Sequence, residues 1–169
     1  MTPPWSKPLE VDRLADGAEQ LVFAVPLQEL PGLQSRHGGV GGEVHGTARF
    51  LRQRGLPVAE LSVQGAAMLE CQRCMQPMEF PIDSQVRVAL IGQEAEAAKV
   101  PEDLEPMLAP GGRISIAELI TEELSLGLPI VPLHAAGGGC AARAAPAAGE
   151  AAAVTQKPFA QLAQLLKRD

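Results

Sequence analysis

A chain of 169 residues has room for one ordinary domain, or for a small domain with long arms. Its 46% hydrophobic content is inflated by alanine, since aromatics are only 3% and Tyr is absent, so the expected core is smaller than the length suggests. The net charge of −6 excludes whole-molecule attraction to phosphate, and the longest apolar runs, at 21–27 and 126–133, are too short to span a bilayer.

In chain order, residues 1–18 carry Pro3, Pro4 and Pro8 among three acids, which leaves no apolar stretch for an export signal. They read as an arm. Cytoplasmic location follows as the expectation, with reduced thiols, because three cysteines is an odd number. Leu21 to Val25 is a strand candidate and Leu27 to Leu33 a helical turn. The loop from His37 to Gly42 lacks the Gly-Lys-Ser/Thr ending of a phosphate-binding loop and reads as a linker.

From 43 to 91 the hydrophobic period becomes two. Val44, Gly46, Ala48 and Phe50 form one set; Leu61, Val63, Gly65, Ala67 and Leu69 a second; Met78, Phe80, Ile82, Val86, Val88 and Leu90 a third. Successive strand side chains face opposite ways, so each segment offers one apolar face. Short connections make the three an antiparallel meander. Residues 92–112 are acidic and then Pro-Gly rich, and read as a loop. Ser115 with Glu118 is a capping-box signature, after which Ile116, Leu119, Ile120 and Leu124 follow helical spacing to Gly127 and Pro129. Residues 135–154 are nearly all Ala and Gly and read as a linker; Phe159, Leu162, Leu165 and Leu166 mark a terminal amphipathic helix.

The fold class expected is therefore α+β: a small antiparallel meander packed by one or two helices, with flexible arms. The expected divisions are an N-terminal arm at 1–39, a core at 40–134, the linker at 135–154 and the terminal helix at 155–169.

One local motif carries chemistry, Cys71-Gln72-Arg73-Cys74. Two thiolates at this spacing can take adjacent positions around a tetrahedral zinc, and Cys140 with His134 are the remaining donors that could complete four. The competing reading makes Cys71 and Cys74 small residues in a strand turn and Cys140 a thiol in a loop. A dithiol redox role normally needs the first cysteine at a helix N-terminus, and this pair joins two strand patterns instead. No catalytic constellation is recognisable around His37, His45 or His134, so no enzyme and no small-molecule substrate are expected.

Charge placement leaves two binding modes. Arg49, Arg52, Arg54, Arg73 and Arg87 could form a local RNA-binding face on the sheet, although beside the five acids of residues 40–92 they read more simply as a solvated, charge-balanced surface. Alternatively, the eight acids of residues 93–125 could engage a basic protein.

Three stretches carry a family resemblance: Leu69 to Met75 around the Cys-x-Arg-Cys turn; Ile114 through Glu122-Glu123-Leu124 to His134, with Cys140 beyond; and Gln156 to Ala163. Together they resemble the bacterial large ribosomal RNA subunit accumulation protein (YceD) family. The resemblance implies a non-catalytic role in synthesis, processing or stability of 23S rRNA. The partners it implies are 23S rRNA or its precursor, a large-subunit ribosomal protein, or both. Some relatives carry extra C-terminal cysteines that could complete a zinc site, where this chain has Cys140 alone.

Overall fold

Alternation of apolar and polar side chains builds most of the molecule. The computed structural model describes residues 3–37, 39–135 and 140. The chain divides into two units, 1–135 and 136–169. The expected linker beyond Ala135, apart from Cys140, and the expected terminal helix lie outside the described residues.

In the first unit, strand β1 (Leu9–Glu10) leads into helix α1 (Val11–Asp16), then strand β2 (Gln20–Pro26) and helix α2 (Pro31–His37). Three long strands follow: β3 (Gly41–Gln53), β4 (Leu56–Glu70) and β5 (Pro77–Ile91). Strands β6 (Glu105–Leu108) and β7 (Arg113–Ile114) precede helix α3 (Ile116–Gly127). The main sheet has order β2-β3-β4-β5-β6, antiparallel through β5 and parallel between β5 and β6, while β1 pairs with β7 in a separate two-stranded ribbon.

The α+β expectation holds, but the sheet is wider than a three-stranded meander. Residues 11–16, with no apolar period long enough to read, form α1 and bury Val11, Leu14 and Ala15. Residues 92–112, expected as a loop, contain a 3-10 helix (Glu94–Lys99) and β6. Both elements are too short for a local period to show. The 3-10 helix is held by a capping box between Gln93 and Glu96, and β6 by its pairing with β5.

One face of the sheet meets all three helices. Val44, Ala48 and Phe50 of β3, Leu61, Val63 and Ala67 of β4, and Ile82 and Val88 of β5 share a buried cluster with Val11, Leu33, Leu119, Ile120 and Leu124. The period of two breaks at Val88–Ile91, where four successive residues are buried. Here Val58, Ala89 and Leu104, with Val100 packed against them, form a second small cluster. A strand covered on both faces loses its alternation.

Helix α3 begins as its sequence signature requires. The Ser115 Oγ accepts from the Glu118 N–H at 3.2 Å, and the Glu118 carboxylate accepts from the Ser115 N–H at 2.7 Å. Ser115 is buried, so these N–H groups have little water to turn to. Ser115→Ala is expected to lower stability by about 1–2 kcal/mol. A shifted urea midpoint at unchanged slope is the measurement; a midpoint equal to the parent's would show that the cap is dispensable.

Helices α2 and α3 are held close. A Cβ built on Gly32 would lie 2.9 Å from Cγ2 of Thr121. Arg36 makes a two-pronged ion pair with Glu122 across the same contact, at 2.8 and 3.2 Å.

Candidate functional site

The turn between β4 and β5 is closed by its own backbone: the Cys71 N–H donates to the Gln76 carbonyl at 2.9 Å and the Met75 N–H to the Cys71 carbonyl at 2.8 Å. Met75 sits at φ +56, in the left-handed region. This tight loop turns Cys71 inward, fully buried, and leaves Cys74 half-buried. Beyond α3 the chain passes back along the loop, and the Gln72 N–H donates to the Pro132 carbonyl at 2.9 Å. That bond sets the position of the next residues. Two positions on, His134 brings Nδ1 to 3.5 Å from the Cys74 sulfur.

Candidate donor atoms of Cys71, Cys74 and His134 all lie within 4.8 Å of one another. Two thiols and an imidazole so placed can hold a metal ion, or Cys74 and His134 can share a sulfur–nitrogen hydrogen bond. No helix begins at Cys71 or Cys74, so neither thiol has the helix dipole that a dithiol redox centre uses. Cys140, in the second unit, is buried.

The arginines are differently disposed. Arg49 and Arg87 both pair with Glu60, at 3.7 and 3.3 Å, as a cross-strand ladder over β3, β4 and β5. Arg52 binds Asp16 at 2.6 Å and Asp12 at 2.8 Å, and Arg54 lies 3.8 Å from Asp103. Hydrogen bonds to Asp16 and then Asp12 raise the Arg52 pKa above its ordinary value. Four candidate arginines thus meet four carboxylates (Asp12, Asp16, Glu60 and Asp103), and the local sum is zero. Arg73 is exposed in the cysteine turn. Half of those carboxylates come from α1, whose packing beside β3 and β4 the linear charge pattern did not disclose.

The acids of α3 and β6 gather instead at a groove of about 500 Å³. Its apolar wall includes Val86, Met107, Leu119 and Leu126; Glu105, Glu118, Glu122 and Glu123 edge it. Leu126 is 79% exposed, although it is a large apolar side chain on a structured helix. Glu122 faces Arg36 and Glu123 accepts from the Ser84 hydroxyl, so the groove keeps an excess of negative charge. This groove was not expected from sequence, because β6 was not.

Fold and site together define a small α+β protein with a thiol–imidazole cluster at one turn of its sheet and an acid-edged apolar groove beside its main helix. Its family follows from comparison. The model of the family described as "Large ribosomal RNA subunit accumulation protein YceD" matches residues 59–166, and the chain belongs to that family. Among curated proteins, the Large ribosomal RNA subunit accumulation protein YceD of Haemophilus influenzae is 28% identical over 131 residues, covering 75% of this chain and 75% of that protein. No solved structure matches. Among the described residues, no helix is long and apolar enough to cross a membrane.

Proposed function

We propose that this protein is a non-enzymatic cytoplasmic factor that supports synthesis, processing or stability of 23S rRNA during biogenesis of the large ribosomal subunit. Family membership is the observation that carries this reading, since the family's description specifies accumulation of that RNA. Removing the protein from its cell is expected to lower 23S rRNA relative to 16S rRNA. An unchanged ratio in a clean deletion strain overturns the assignment.

Contact with a basic protein segment is the route that the electrostatics support. Each phosphate neutralised by Lys or Arg contributes about −0.9 to the slope of log affinity against log salt. Arginines already facing carboxylates on their own surface contribute little to that count. The groove beside α3 has the opposite character, apolar at its wall and acidic at its edge, which suits a basic amphipathic segment of a large-subunit ribosomal protein.

Titrating purified protein with 23S fragments at several salt concentrations separates the two routes. The expected result is weak binding with a shallow salt slope. A steep slope that flattens in Arg49→Ala with Arg87→Ala would establish direct RNA contact instead.

A further inference from the structure

We infer that the groove beside α3 receives a basic amphipathic helix of a partner protein, laid along α3 and anchored on Leu126. This rests on the reading of the groove as the surface that takes a basic segment, and adds the form of that segment and its anchor.

The helix layer stops short of one side of the sheet. On the helix-covered face of β5, Ile82 and Val88 are buried, yet Val86 between them is only half-buried, as is Met107 of β6. One flank of α3 looks onto this uncovered strip. Leu119, Glu122, Glu123 and Leu126 fall at i, i+3, i+4 and i+7, on one side of the helix, and all four line the groove. Leu119 is buried, whereas Leu126 stays 79% exposed. Covering Leu126, Val86 and Met107 together removes one apolar strip from water.

Charge selects the class of partner. Glu105, Glu118, Glu122 and Glu123 line the groove, and no Lys or Arg does. Arg36 offsets Glu122 from outside the lining, so four carboxylates and one guanidinium leave a local formal charge of −3. Glu105 is exposed and joins none of the ion pairs among the described residues. An acidic rim around an apolar floor repels RNA phosphate and attracts Lys and Arg.

The helical form follows from the sheet edge. Strand β6 ends the sheet, so an extended segment would have to pair along its free edge. That edge is poorly suited to pairing: β6 is four residues long, opens on exposed Glu105 and contains Pro106, which has no N–H to donate. A helix satisfies its own backbone hydrogen bonds and needs side-chain contact alone. Helix α3 has 12 residues. At about 1.5 Å of rise per residue that is about 18 Å, which gives room for about three turns beside it.

The test uses the full-length protein and a fluorescent synthetic peptide of about four helical turns, with Leu along one face and Lys on both flanks. Anisotropy should show saturable binding, and the same peptide with Glu in place of Lys should not bind. A central proline keeps the charge and the apolar residues but breaks the helix, so that peptide should bind about tenfold more weakly. Leu126→Gln should also weaken binding about tenfold, and because Leu126 is exposed the variant should fold as the parent does. Glu105→Lys should weaken binding more than Glu79→Lys, which reverses an exposed charge on the opposite face of the sheet. Equal effects of those two reversals, or unchanged binding in Leu126→Gln, would reduce the interaction to general charge attraction and overturn the inference. Equal binding of the proline peptide would overturn the helical form and leave the groove to an extended basic segment. Binding by neither peptide overturns both, while the 23S ratio in the deletion strain still judges the cellular assignment by itself. A wild-type dimer in sedimentation that Leu126→Gln disperses would give the groove to a second copy instead.

Discussion

Phe50→Ala is expected to lower stability by about 3–5 kcal/mol, the range for deleting a buried phenyl ring. Phe50 is fully buried near the C-terminal end of β3 and belongs to the cluster that joins the sheet to the helices. Small domains have total stabilities of about 5–15 kcal/mol, so the variant should sit near the edge of folding. Urea denaturation followed by circular dichroism measures it, with Val22→Ala as the control. Val22 is 81% exposed on β2, and its replacement should change stability by less than about 0.5 kcal/mol. A loss at Phe50 below about 1.5 kcal/mol would mean that the core has its centre elsewhere.

Gly46→Ala should be at least as damaging, for a different reason. A Cβ at this position would lie 1.8 Å from the Ser62 carbonyl oxygen and 3.0 Å from Cζ of Phe23. The first obstacle is backbone of the neighbouring strand and cannot swing aside. Either β3 and β4 separate locally or the strand pairing shifts, and a shift by one residue would turn every apolar side chain to the wrong face. The expected outcome is loss of soluble folded protein. Gly55→Ala is the comparison, because nothing lies within 4 Å of its Cβ position and the cost is confined to its φ of +82. About 1–2 kcal/mol is expected there. Equal, mild effects at both glycines would contradict the close approach of β3 to β4.

The two substitutions also mark how far local pattern reaches. Alternation places Phe50 inside, because side-chain direction along a strand depends only on residue parity. Nothing local distinguishes Gly46 from Ala48 on the same face. The difference arises from how closely β4 approaches each of them, and that depends on the coiling of the whole sheet.

What the sequence determined alone has this local character. The period of two marked β3, β4 and β5, and the Ser115–Glu118 pair marked the start of α3. The Cys-x-x-Cys spacing placed two thiols at one turn. These features rest on backbone geometry over a few residues, so they survive without knowledge of the fold.

Tertiary structure decided the rest, through contacts between residues distant in the chain. Cys74 and His134 are separated by 60 positions, and their 3.5 Å approach depends on where α3 ends and on the bond from Gln72 to Pro132. The balance of five acids and five arginines in residues 40–92 was legible, but their pairing was not: α1 brings Asp12 and Asp16 to Arg52, and the strand register sets Glu60 between Arg49 and Arg87. Four of the eight acids of 93–125 become a groove edge only once β6 lies parallel to β5 beside α3. Coulomb energy depends on distance in space, and linear order does not specify that distance. Charge type was therefore legible in the sequence, while charge partnership belonged to the fold.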